Sequence, residues 1–307
     1  MDDLTFFQVN SSEYVAGTDY WISHPASINH PKDHSVMFIS KQYPAYRQVF
    51  FAVVHCLIFW PQEWEIPEEL ARKHAIVPCK NPRVAYCSFF KEQGITGLCV
   101  PDEVENVQGA WIAKTAKIGQ HTVIFPGVYI GGEVTIGDDC YIGTGVKIIG
   151  RVRIGNRVRI RENTVIGTDG LSTDRDDDGH PMTMPQFGGI IIEDEVQIGA
   201  NTVVQRGAID DTILHRGCKI DGQTFISHNV VIGEETFIVG ESFLLGSASV
   251  GMQAQIAAGS TLGNYVHVGD RTLLGMASLA TRDIPENVVA YGSPAKPVRK
   301  HYEETEA

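Results

Sequence analysis

From Ile112 onward the apolar positions follow a spacing that neither common secondary-structure period produces. Aliphatic residues recur at Ile112, Ile118, Ile124, Ile130, Ile136, Ile142, Ile148, Ile154, Ile160 and Ile166. Small or β-branched residues fall four places on, as at Ala116, Thr122, Val134, Cys140, Val146, Val152, Val158 and Thr164. A helix repeats its apolar face about every 3.6 residues and a half-buried strand every two. A period of six predicts a hexapeptide β-helix, with three short strands per coil and the aliphatic residue of each strand stacked inward on its equivalents in neighbouring coils.

The period resumes at Ile192 and Ile198, breaks near GAIDDT, and then runs from Leu214 through Ile220, Ile226, Ile232, Ile238, Leu244, Val250, Ile256, Leu262 and Val268 to Leu274. Gly, Asn and Asp in IGDD, IGNR and IGEE supply turn conformations at the corners. Residues 168–190, TDGLSTDRDDDGHPMTMPQFGGI, are expected to leave the helix as a loop, and long excursions from a rigid scaffold carry function or are disordered. Residues 1–107 lack the repeat. Strand-like SVMFIS, VVHCLIFW and HAIVPC alternate there with helical PEELARK and NPRVAYCSFFKEQG, and PDEVENVQ reads as the joint. The expected class is mainly β: a left-handed parallel β-helix over residues 108–290, a small N-terminal α/β domain over 1–107, and a short polar tail over 291–307.

Composition narrows the partners. The 307 residues are 43% hydrophobic with a formal charge of −12, which argues against nucleic acid or an anionic membrane as the main partner, since both need a concentrated positive field. The six cysteines form no CxxC pair. Neither a zinc site nor a disulfide framework is signalled, and a cytoplasmic location is expected. The most apolar run, VFFAVVHCLIFW over residues 49–60, is too short for a membrane span of about 20 residues and reads as buried core.

One residue stands out for chemistry. His228, in ISHNVVIG, occupies the third place of its hexapeptide, where side chains point away from the core. An imidazole titrates near neutrality and is suited to general-base work. One coil on, Gly246 would leave a backbone N–H open to a carbonyl oxygen, as an oxyanion donor requires. The flat faces of such a helix favour trimers, with sites in the clefts between subunits.

The stretch GTDGLSTDRDDDGHPMTMPQFGGIIIEDEVQIGANTVVQRGAIDDTILHRGCKIDGQTFISHNVVIG resembles the UDP-3-O-acylglucosamine N-acyltransferases of lipid A synthesis, through GxDG, PQxG, RGAxDDT, ID and HNVVIG. The resemblance implies that His228 is the general base for the sugar amine, that the Gly246 N–H binds the oxyanion, and that Asp221 serves the amino-sugar site. It also implies a homotrimer, and a thioester donor carried by the phosphopantetheine of acyl carrier protein or by coenzyme A, with no tightly bound cofactor and no metal. SVMFISKQYPAY and CKNPRVAY stand where the family has its uridine-binding segments, so that Tyr43 would stack on the base and Asn81 would lie in the Lys-Asn-Pro segment. Tyr265 stands where the family has a second histidine, Phe225 where it has a glutamine and Ser40 where it has an asparagine. The ending AYGSPAKPVRKHYEETEA resembles instead sugar acetyltransferases that use acetyl-CoA, so both donors stay open, and with them the alternative of an acetyl-CoA-dependent nucleotide-sugar N-acetyltransferase.

Other readings stand beside these. His228 is also compatible with a surface histidine of a non-catalytic β-helix scaffold. A trimeric zinc hydratase would need paired histidines that His121, His180, His215, His228 and His267 do not supply. Asp174, Asp176, Asp178 and Gly179 match the start of a calcium loop, but Pro185 stands where its glutamate belongs, which favours a solvated acidic turn. Asp210 and Asp211 either orient the imidazole or cap a turn. Tyr43 either stacks on a base or packs in its strand. Phe225, Phe243 and Met252 either line or block an acyl groove.

Overall fold

The computed structural model describes residues 6–42, 44–97 and 103–301; Tyr43 and Cys99 lie outside them. The chain divides into two compact units, Met1–Leu98 with Leu171–Phe187, and Cys99–Gly170 with Gly188–Ala307.

The larger unit is a parallel β-helix of three sheets. The chain visits them in rotation, through Ala110–Ala113 on the first face, Lys117–Ile118 on the second and Val123–Ile124 on the third, before returning to the first at Tyr129–Ile130. Each residue pairs with the one a coil away, as Ile130 with Ile148 and Ile142 with Ile160. From Ile130 onward the period-six residues, together with small residues four places on, form one continuous core that runs from Ala110 to Ala290, while in the first coil Ile118 is exposed and Ile112 and Ile124 are only partly buried. Burying each aliphatic side chain contributes roughly 1.5–3 kcal/mol, and the stack repeats that gain coil after coil. The corners need left-handed backbone, and residues other than glycine adopt it repeatedly, including Asn229 (φ 60°), Ser247 (φ 60°) and Tyr265 (φ 62°) in successive coils of one corner.

The outward residues differ by face. The first face presents Val165, Val203, Phe225 and Phe243 in register, with the two phenylalanine rings 6.2 Å apart. The second presents Ile191, Ile213 and Val231. The third presents Arg159, Gln197 and Lys219 over the same coils. Much of the surplus acid is placed between the second and third faces, where Arg157 meets Glu195 at 2.8 Å and Arg216 meets Glu234 at 3.0 Å.

Three segments differ from expectation: Val104–Val107, read as part of the joint, pairs antiparallel with Ala110–Ala113 at the edge of the first face. Within the excursion, Thr173–Arg175 and Pro181–Thr183 pair as an antiparallel hairpin. Its turn is tied by Asp176 Oδ1, which accepts the N–H groups of Asp178 and His180. Residues read as tail also form a strand: Ala295–Lys300 turns back antiparallel on Val288–Gly292 and extends the third face.

The smaller unit holds a four-stranded parallel sheet of His24–Pro25, Ser35–Phe38, Leu57–Pro61 and Ala75–Cys79. Helix α1 (Glu68–Lys73) precedes the last of these strands and α2 (Pro82–Glu92) follows it. The apolar run supplies Phe50, Ile58 and Trp60 to the core of this unit, as its reading as buried chain predicts. Phe90 of α2 meets Phe187 at 4.6 Å, and Arg83 Nη2 donates to Ser172 Oγ at 2.8 Å, so the hairpin segment is fastened to the helix. No described helix is long and apolar enough to cross a membrane.

Candidate active site

His228 sits at the corner where the chain passes from Phe225–Ile226 on the first face to Val231–Ile232 on the second. Its ring is half-buried and is bracketed by two glycines. A Cβ built on Gly246, one coil above, would lie 2.6 Å from His228 Nε2 and 2.7 Å from Cε1. One on Gly170 would lie 2.6 Å from Cδ2 and 2.8 Å from the His228 Cβ. Real Cβ atoms do not approach so closely, so only glycine at both positions leaves the imidazole its place.

The neighbouring side chain fixes which ring nitrogen carries the proton. Asn229 Oδ1 lies 3.0 Å from His228 Nδ1. The orientation of the Asn229 amide is set from both ends: its Nδ2 donates to the Asp210 carbonyl at 2.7 Å, and its Oδ1 accepts the Ala208 N–H at 3.0 Å. A carbonyl oxygen cannot donate. Nδ1 must therefore hold the hydrogen in the neutral ring, leaving the lone pair on Nε2, the atom beside Gly246. The break in the repeat at GAIDDT now has a physical reason, because the extra residues between Val203–Gln205 and Thr212–Leu214 fold under Asn229 and supply both partners of its amide.

The Gly246 N–H makes no hydrogen bond among the described residues, while the carbonyl of Gly246 accepts the Tyr265 N–H at 3.1 Å. The nearby amide thus has a free donor close to a free base. No group of three or more His, Cys, Asp or Glu among the described residues is arranged to hold a metal ion. Burial pushes the Cys218 thiol up to about 12 and those of Cys56, Cys79 and Cys87 to about 11, so these cysteines are poor thiolate nucleophiles near neutrality.

The other expected site residues are spread along the fold. Tyr265 is on the same corner as His228, two coils up and 67% exposed. Asp210 reaches the site through its carbonyl, and Asp211 Oδ1 accepts the Gly189 N–H at 2.6 Å, anchoring the strand that re-enters the helix. Asp221, exposed, stands at a different corner, between Lys219–Ile220 and Phe225–Ile226, so within one chain it is not brought beside His228. Asn81 caps α2 and accepts the N–H groups of Arg83 and Val84. Sequence reasoning gave Gly170 and Asn229 no role. Both were visible only as letters of GTDG and HNV, and their contacts cross from one coil to the next.

The bacterial transferase hexapeptide family (six repeats) matches residues 115–150 and 135–168. The UDP-3-O-acylglucosamine N-acyltransferase of Methylobacterium nodulans is 38% identical over 151 residues, 48% of this chain and 42% of that protein. The protein of the same name from Francisella tularensis subsp. holarctica is 53% identical over 79 residues, 26% of this chain and 23% of that one. The chain thus spans less than half the length of these curated relatives. Among solved structures, a UDP-N-acetylglucosamine acyltransferase from Bacteroides fragilis superposes with TM-score 0.57 at 23% identity, over 64% of this chain and 75% of that one. One from Campylobacter jejuni gives 0.56 at 19%, over 62% and 73%. The chain has the left-handed β-helix fold built from hexapeptide repeats, joined to a small α/β domain, and over about half its length it is similar to the UDP-3-O-acylglucosamine N-acyltransferases.

Proposed function

We propose that this chain acylates the free amine of a UDP-linked amino sugar, as in lipid A synthesis, taking the acyl group from a thioester of acyl carrier protein or coenzyme A. The observation that carries the reading is the imidazole held with its lone pair on Nε2 beside the unbonded Gly246 N–H. The names of the relatives above point to the same substrate class. In the reaction, the sugar amine attacks the thioester carbonyl while His228 Nε2 takes its proton, and the Gly246 N–H donates to the developing oxyanion. Collapse of the tetrahedral intermediate forms the amide and expels the thiolate, which recovers the proton from the imidazolium.

The working unit in this reading is a homotrimer. The corner with His228 divides two faces whose outward residues are apolar, Val203, Phe225 and Phe243 on one and Ile191, Ile213 and Val231 on the other. Contiguous apolar surface of this kind marks a protein interface. A neighbouring copy would also bring a second set of corners toward His228, which gives Asp221 a route to the site. The small unit, with Asn81 and Tyr43, would take the uridine. The free thiols of the five described cysteines suit a reducing cytoplasm. Changing Phe225 and Phe243 together to Asp is expected to convert the trimer to monomers in sedimentation while each chain keeps its β-sheet circular dichroism; a trimer retained by the double variant would place the interface elsewhere.

The reaction itself is tested by thiol release with a panel of UDP-amino sugars, offering 3-hydroxyacyl carrier proteins in one series and acetyl-CoA in the other. Turnover with the carrier alone makes this a lipid A-type N-acyltransferase. Turnover with acetyl-CoA makes it a nucleotide-sugar N-acetyltransferase on the same scaffold. Release in neither series would overturn the proposal in favour of a non-catalytic scaffold.

A further inference from the structure

Beneath His228 the corner holds a second arrangement. In the coil below, Gln205 pairs with Thr168 across the register irregularity of that strand pair, and next to them Arg206 meets Asp169. Arg206 is 5% exposed, an unusual degree of burial for a guanidinium. Its Nε donates to Asp169 Oδ1 at 2.6 Å, and its N–H donates to the Thr168 carbonyl at 3.0 Å. Gln205 Nε2 donates to the Asp169 carbonyl at 3.0 Å, while Gln205 Oε1 accepts the hydroxyl of Ser227, the residue before His228, at 2.9 Å. Asp169 is thus held by both its side chain and its main chain, and the next residue is Gly170, whose Cα packs against the imidazole.

We propose that Arg206 and Asp169, with Gln205 and Ser227, position His228 by clamping the main chain at Gly170, and that this clamp keeps the ring on its Asn229 hydrogen bond. The physical argument is one of confinement. Gly170 closes the Cβ–Cδ2 edge of the ring and Gly246 the Cε1–Nε2 edge, so while both backbones stay fixed the ring has one rotamer and Nδ1 stays on Asn229 Oδ1. Residue 170 is also the last of the helix unit before the excursion, where an unanchored chain would be free to shift. A charge-assisted bond from a buried guanidinium to the more exposed Asp169 carboxylate is suited to hold such a point. Arg206 and Asp169 touch no reacting atom here. They act through Gly170, and they are positioning residues.

The proposal rests on His228 being the base, and the test separates the two ideas. Histidine ring nitrogens of the full-length protein are read by 15N NMR, with His228 assigned by difference against His228→Ala. The wild-type ring is expected as the Nδ1–H tautomer. In Asp169→Asn and Arg206→Gln the Nε2–H form should rise to roughly a third or more, and kcat should fall about 10- to 100-fold with KM for either substrate changing less than about threefold. Arg206→Lys, which keeps a cationic donor, should restore most of the wild-type tautomer. Each variant is first shown to melt with the wild-type transition, and two independent variants guard against one failing to fold. A folded Asp169→Asn or Arg206→Gln that keeps the wild-type tautomer and kcat overturns the clamp. The tautomer readout needs no substrate, so it decides the clamp even if His228→Ala retains activity and the base assignment fails.

Discussion

His228→Ala is expected to lower thiol release with the productive UDP-amino sugar by about 10²- to 10⁴-fold, with KM little changed and the melting transition intact. The loss should be large because the variant removes the lone pair that Asn229 fixes on Nε2 beside the Gly246 N–H. The fold should be indifferent because the side chain is outside the core that runs from Ala110 to Ala290, and truncating it leaves no buried cavity of the kind that destabilises cores. Only the neutral ring has a lone pair on Nε2, and Asn229 Oδ1 keeps it there by accepting from Nδ1–H. Wild-type-like turnover in the alanine variant would remove His228 from the mechanism and require a different group to take the proton of the amine.

Much of this was legible in the sequence because the β-helix is close to one-dimensional. Each inward residue meets its equivalents in neighbouring coils, so a period of six specifies the core with little reference to the rest of the chain. Three of the four strands of the small domain's parallel sheet were legible for a similar reason, as apolar runs whose neighbours in the sheet are close in sequence; the two-residue strand His24–Pro25 was not. What escaped were features with no period. The hairpin at Thr173–Arg175 and Pro181–Thr183 is charged and carries no apolar alternation. The strand Ala295–Lys300, AKPVRK, lies at the edge of its sheet, where buried aliphatics are not required, and so it read as tail. At the candidate site the spacing singled out the histidine and the glycine one coil on, and the two lie side by side. Asn229, the folded insertion at Ala208 and Asp210, and the clamp at Asp169 were not, because each works by a hydrogen bond to another coil across an irregular stretch. The acidic run, read as a solvated turn in preference to a calcium loop because of Pro185, supplies the hairpin turn through Asp176, and Lys80 reaches Asp177 at 3.1 Å.

Gly246→Ala is expected to reduce kcat by about 10²- to 10³-fold while leaving the melting temperature within a few degrees, and it tests the geometry of the pair where His228→Ala tests only the base. The backbone of Gly246 is outside the left-handed region that only glycine enters cheaply, so alanine imposes no strain on the coil. Its one conflict is local: the new Cβ would need the space 2.6 Å from His228 Nε2 and 2.7 Å from Cε1. The ring cannot retreat across Gly170, whose main chain closes the other side. It must instead swing off Asn229, which exchanges the tautomers and takes the lone pair away from the attacking amine, while the added methyl crowds the N–H meant for the oxyanion. The two effects have separate signatures. Ring displacement alone should appear as a new Nε2–H signal in the histidine 15N spectrum of the free protein, whereas crowding of the donor alone should leave that spectrum unchanged and still depress kcat. A variant that turns over at the wild-type rate with an unshifted ring would mean that the methyl is accommodated, and the oxyanion would then have to be held by a group other than the Gly246 N–H.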